Sequence, residues 1–127
     1  MRAAIVAAIA FACLSAGSVS AQSAMTLDEF VTRANRIPLN ATAMLRPDAH
    51  RLKSEGERAL GNVMREVRQA RAAGRNPPAC PAGDSISLNP RQLLAHLNAI
   101  PQDRRQRMTV TDGMRDWMRA RYPCPGG

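Results

Sequence analysis

The sequence predicts an all-α fold: a small helical domain of four main helices with one long central helix, held by one disulfide. Three observations predict it. From Asp48 to Ala73 apolar residues recur every three or four positions, with only Gly56 and Gly61 to weaken the pattern. Pro38, Pro47, Gly74, Pro77, Pro78, Pro90, Pro101 and Pro123 then divide the chain into helical segments with a start and a stop. The alternation that marks a strand is confined to Ser85-Ile86-Ser87-Leu88, which reads as a short extended segment.

Residues 1–21 carry the pattern of a secretory signal peptide. Arg2 supplies a positive start, residues 3–14 an apolar run, and Val19-Ser20-Ala21 the small residues of a cleavage site. The run is shorter than the roughly 20 apolar residues a membrane span needs, and no later stretch qualifies, so no stable membrane insertion is expected. A lipoprotein reading through Cys13 competes, although Ala10-Phe11-Ala12 matches poorly the Leu-Ala-Gly type of sequence that precedes a lipidated cysteine. Removal of the leader leaves residues 22–127 as a single exported helical domain, with Gln22-Ser23-Ala24 as a frayed start. Its aromatic residues are then Phe30, Trp117 and Tyr122 alone. The core must come from Leu, Ile, Val, Met and Ala, and a covalent staple would help so small a domain.

The first helix is expected from Leu27 to about Arg36. Thr26 and Glu29 form a capping box, Met25 is placed to pack on Phe30, and Leu27, Phe30, Val31, Ala34 and Ile37 make the apolar stripe that Pro38 stops. Residues 39–46 could form a short helical turn capped by Asn40 or Thr42. Asn40-Ala41-Thr42 also matches the N-glycosylation acceptor pattern, which carries no meaning in a bacterial chain. Pro47 and Asp48 suit the start of the long helix. Its stripe is Ala49, Leu52, Gly56, Ala59, Leu60, Val63, Val67 and Ala70; Arg51, Glu55, Arg58, Arg65 and Arg68 lie opposite. Gly56 and Ala59 would let another helix approach. Gly74 caps the end in the left-handed conformation.

Asn89 caps the third helix, with Pro90 in its first turn, Gln92 to complete a box and a Leu88–Leu93 staple. Its buried stripe is Leu93, Leu94, Leu97 and Ile100, and Pro101 ends it. Gln102 to Gln106 reads as a charged linker. Thr109 and Asp112 start the last helix, whose stripe is Val110, Met114, Trp117, Met118 and Arg121. Tyr122-Pro123-Cys124 then returns the second cysteine toward the first. Cys80 and Cys124 are the only cysteines left without the leader, and in an oxidising compartment they read as one bridge; two buried free thiols are the alternative. Cysteines this far apart lack the spacing that zinc sites favour.

Formal net charge is +8, almost all from arginine, since Lys53 is the sole lysine. The arginines are spread along the chain without interleaved aromatics, which argues against a nucleic-acid stacking platform. They concentrate at the C-terminal end, where Arg104, Arg105, Arg107, Arg115 and Arg119, with Arg121, form the expected binding surface. A solvated, solubilising face is the plainer reading of the same residues.

Catalytic patterns are scarce. His50 and His96 have no Cys, Asp or Glu at ligand spacing, and both read as surface or boundary histidines. The serines lack a strained Gly-x-Ser-x-Gly setting, and no glycine-rich phosphate loop is present. Glu55 with Arg58, Asp112 with Arg115 and Asp116 with Arg119 fit helix-surface ion pairs. Met108, Met114 and Met118 could suggest copper, but methionine at helical spacing is the ordinary core filler. No metal, no cofactor and no enzymatic activity are expected.

The C-terminal unit resembles a known family. Cys80-Pro81-Ala82-Gly83, then Gln92-Leu93-Leu94 with Leu97 and Pro101, then Trp117 and Tyr122-Pro123-Cys124 resemble the Rap/Tai family of immunity proteins. The resemblance covers roughly residues 78–125; the N-terminal half departs, with no cysteine from Gln22 to Ala79. It implies a small helical protein of the Gram-negative periplasm that neutralises a cell-wall amidase effector of type VI secretion. The expectation is thus an exported, periplasmic, non-enzymatic binding protein of immunity type. A secreted amidase is the expected protein partner, and a homodimer is a further arrangement. The alternative is an arginine-rich envelope module that binds anionic lipid or polysaccharide.

Overall fold

The computed structural model describes residues 25–126. The signal-peptide reading of residues 1–21, Cys13 included, and the frayed Gln22–Ala24 lie outside the described residues. Within them the chain is all-α. Helices α1 (Leu27–Ala34), α2 (Pro47–Ala72), α3 (Pro90–Ala99), α4 (Gln102–Arg105) and α5 (Val110–Arg121) follow in order, with a 3₁₀ helix at Ala41–Leu45. The four main helices expected from the sequence are α1, α2, α3 and α5. The segment read as a linker after Pro101 is instead the single turn α4.

Local chemistry explains most boundaries. Thr26 Oγ1 accepts from the Glu29 N–H at 3.1 Å and so satisfies one open donor of α1. The return arm of that box is not made among the described residues. The Leu27 N–H instead donates to the Met108 carbonyl at 2.8 Å, and Thr26 bridges to Thr109. This ties the start of α1 to the start of α5. Asn40 caps the 3₁₀ helix through the Thr42 N–H. Pro47 occupies the first turn of the 26-residue α2, about 40 Å long.

Gly74, at φ 68°, closes α2 as expected: the Arg75 N–H reaches the Ala70 carbonyl and the Gly74 N–H that of Arg71. Asn89 accepts from the N–H groups of Arg91 and Gln92 to start α3. Leu88 does not staple that helix, because its side chain is exposed. At α5 the capping box is complete, with Thr109 Oγ1 accepting from the Asp112 N–H and the Asp112 carboxylate accepting from the Thr109 N–H. Ser85–Leu88 runs without a paired strand.

Helices α2 and α5 form the most extensive pair, and α1 and α3 close over it. Leu27, Phe30 and Val31 from α1, Leu52, Ala59, Val63 and Met64 from α2, Leu93, Leu97 and Ile100 from α3, and Val110, Met114, Trp117 and Met118 from α5 make the core. The buried face of α2 includes Met64, which the expected stripe omitted, while Leu60 is half-buried. Arg121, placed on the stripe of α5, is exposed.

The close helix contact also differs from the expected one. A Cβ at Gly56 would meet Met114 and Phe30 at ordinary distances of 3.5 and 3.6 Å. At Gly113 it would stand 2.5 Å from Leu27 Cδ1 and 3.2 Å from Leu27 Cγ. Leu27 is fully buried and has little room to yield. Gly113 is therefore the residue that lets α1 seat on α5.

Cys80 and Cys124 form the disulfide, with Cα atoms 4.9 Å apart. The Cys80 N–H donates to the Tyr122 carbonyl at 2.8 Å, and the flanking Ala79 and Pro81 are buried. Arg71 reaches from the last turn of α2 to the Pro81 carbonyl at 2.6 Å. The loop after α2 is thus fixed at both its bridge and its backbone.

Two stability outcomes are expected. Gly113→Ala should destabilise the domain by roughly 1 kcal/mol, the net of overpacking against helix propensity, whereas Gly61→Ala, with open space around it, should stabilise it by up to about 1 kcal/mol. Urea unfolding of the two variants tests the pair, and equal effects would contradict the assigned contact. Reducing the bridge removes a loop constraint spanning 44 residues and should cost about 4 kcal/mol, read as a lowered midpoint with reductant or in Cys124→Ser.

Candidate binding face

The arginines expected to form the binding surface divide into two groups. Arg105 turns inward. Its Nε donates to Asp28 Oδ1 at 3.1 Å and its Nη1 to the Asn98 and Ile100 carbonyls, both at 3.2 Å. It thereby joins α4 to α1 and satisfies open carbonyls at the end of α3. Arg115 is equally committed. Its Nε and Nη2 grip Glu66 of α2 at 2.9 and 2.7 Å, and its Nη1 holds Asp112 at 2.8 Å. The bidentate geometry makes this a clamp across the α2–α5 seam.

Arg104, Arg107 and Arg119 remain exposed. Arg107 lies 3.8 Å from Asp103, a loose surface pair. Among the described residues, Arg104 and Arg119 have no carboxylate partner. These three line a shallow groove of about 330 Å³ between α4 and α5, with Met108, Asp112, Arg115 and Asp116. The groove is consequently not a one-sign patch. Carboxylates of Asp103, Glu66, Asp112 and Asp116 stand beside its four arginines, and the local charges balance.

Asp116 does not pair with Arg119, as helix spacing had suggested. It accepts from His96 Nε2–H of α3 at 2.9 Å. That bond links α3 to α5 and orients the imidazole toward a second hollow, lined by Gln92, His96, Trp117, Ala120 and Arg121. His50, likewise unpartnered in the sequence reading, donates to the Met44 carbonyl at 2.6 Å. The expected pairs Glu55–Arg58 and Asp112–Arg115 are present. No group of three or more potential metal ligands assembles among the described residues. No helix there is long and apolar enough to cross a membrane.

Sequence reasoning missed the partners of Arg105, Arg115 and His96 because they lie 77, 49 and 20 residues away. The only available signal was negative: Asp28 and Glu66 have no basic residue that needs them on their own helix faces. No protein-family model, curated protein or solved structure matches the chain.

The clamp sets a pH dependence. The hydrogen bonds from Arg115 hold the Glu66 carboxyl below its ordinary value of 4.5. Partial burial pushes Asp112 up, but the Thr109 N–H, Arg115 and the Thr109 hydroxyl together hold it below its ordinary 3.8. Both acids bind protons more weakly folded than unfolded, so their stabilisation is complete above about pH 4.5 and is lost as pH falls through the depressed folded values. The thermal midpoint should therefore hold from neutrality to about pH 5 and drop below about pH 4. Arg115→Met should start lower at neutral pH and lose less on acidification; parallel curves for the two proteins would contradict the clamp.

Proposed function

We propose that this chain is an exported, non-enzymatic binding protein of immunity type, acting in the periplasm on a cell-wall amidase by protein–protein contact. One observation carries the reading: the α4–α5 groove is a braced surface of balanced charge. Its free arginines, Arg104 and Arg119, stand among fixed carboxylates and the half-buried Met108. A polyanion is attracted by a field of one sign. A surface that alternates signs instead suits a partner with a matching pattern, which is the electrostatic logic of protein interfaces. Arg115 keeps Glu66 and Asp112 in place and Arg105 holds α4 against α1, which lowers the ordering cost of binding for that part of the pattern.

The amidase comes from the resemblance of residues 78–125 to the Rap/Tai immunity proteins, a reading that the Cys80–Cys124 clasp and the helices α3, α4 and α5 between its ends support. Inhibition of this kind requires only complementary shape and charge, with no reacting group from this chain.

The test is titration of the oxidised chain against a secreted amidase encoded beside its gene. Stoichiometric loss of peptidoglycan hydrolysis is expected, with Arg104→Glu/Arg119→Glu weakening binding at least tenfold while leaving the helical signal unchanged. Undiminished hydrolysis with no detectable complex would refute the amidase, and unaltered affinity in the double variant would refute the groove.

A further inference from the structure

A second surface has the opposite electrostatic character. Proline 38 stops α1 and Pro47 starts α2, and the chain between them projects as the 3₁₀ helix Ala41–Leu45. Leu45 is 84% exposed, Met44 56% and Leu39 43%. Leu88, 40% exposed, lies just before α3, and Arg91 of that helix donates to the Leu39 carbonyl at 3.4 Å. Four large apolar side chains thus stand in solvent on two neighbouring segments, although the hydrophobic core omits all of them.

The charge around them is mostly positive. From Phe30 to Ser54 the chain carries Arg33, Arg36, Arg46, Arg51 and Lys53 against the lone acid Asp48. Asp48 is paired with Arg46 at 3.0 Å and Lys53 with Glu57 at 2.6 Å. Arg33, Arg36, Arg51 and Arg91 have no carboxylate partner among the described residues.

The backbone of the projection is also satisfied from within. The Thr42 N–H donates to Asn40 Oδ1, the Ala43 N–H to the Asn40 carbonyl and the Arg46 N–H to the Ala43 carbonyl. The Met44 carbonyl accepts from His50, and the Arg36 carbonyl from Arg46. Few polar groups of the main chain would therefore need water if the tip entered an apolar medium.

We propose that residues 39–45, with Leu88, form a docking tip for an anionic phospholipid surface. Leu45 and Met44 enter the boundary between headgroups and acyl chains, Leu39 and Leu88 reach its edge, and the unpaired Arg36 and Arg91 lie at phosphate level. Two features favour lipid over a protein for this tip. Leu45 stands out into solvent, and a fluid surface receives such a side chain without a matching pocket. The free cations are unopposed, and near an anionic leaflet each basic residue strengthens attachment by about fivefold. Neither the short apolar insert nor the charge anchors alone, so binding is reversible and needs both.

Co-sedimentation with phosphatidylcholine vesicles, with and without phosphatidylglycerol, tests this. Binding should require phosphatidylglycerol, fall as salt rises, and weaken about tenfold in Met44→Ser/Leu45→Ser and in Arg36→Glu/Arg91→Glu. Leu45→Trp should shift its emission to shorter wavelength on mixing with the anionic vesicles. Equal binding to both vesicle types, unchanged binding of the Met44/Leu45 variant, or a Leu45→Trp shift that arises from self-association without lipid would each overturn the proposal. Arg104→Glu/Arg119→Glu should bind vesicles normally and the tip variants should bind the amidase normally, so this inference and the protein-partner reading fail independently.

Discussion

The bridge between Cys80 and Cys124 is the constraint on which the rest of the C-terminal structure depends. It joins the loop after α2 to the short segment that follows α5, and so encloses α3, α4, α5 and the candidate face they carry in one covalent circuit. A domain of this size has a total stability on the order of 5–15 kcal/mol, so a contribution of about 4 kcal/mol is a large share. The core needs it. One Trp, one Phe and one Tyr serve the described chain, and aliphatic and methionine side chains fill the remainder. Trp117 and Tyr122 meet edge-on at 6.3 Å beside the bridge, which gathers most of the aromatic surface at the point of closure.

Closure alone would not fix the faces of the helices. That task falls to two arginines placed at seams. Arg105 draws α4 onto α1, and Arg115 locks α5 to α2 through Glu66. Gly113 lies on the same helix as Arg115, on the side toward α1, and its missing side chain leaves the space that Leu27 fills. Helix α5 is therefore positioned from three sides: by contact with α1, by an ion pair with α2 and by the His96–Asp116 bond to α3. A surface held this way can present charges at fixed spacing, which links the packing to the binding role proposed for it.

The sequence was most informative where the physics is local. Asn89, Thr109 with Asp112, Gly74 and the flanking prolines act on residues within four positions, and the helices they delimit are present. The cysteine pairing was legible because, with Cys13 read as part of a leader, Cys80 and Cys124 were the one pair left. The candidate face was read less well. In a chain with so many arginines, composition cannot tell which ones meet a carboxylate from another helix, and Arg105 and Arg115 proved to be braces. Gly113 was hidden for a similar reason: nothing near it in sequence announces Leu27. The exposure of Leu39, Met44, Leu45 and Leu88 was also illegible, since an apolar residue outside a clear stripe carries no mark of which way it faces.

Native-state amide hydrogen exchange, compared between the oxidised chain and Cys80→Ser/Cys124→Ser, tests most directly whether the clasp organises the binding face. The account predicts that protection falls most in α3, α4 and α5 and least in the middle of α2, where Leu52, Ala59 and Val63 are buried. Protection that is unchanged in α4 and α5 without the bridge would contradict it.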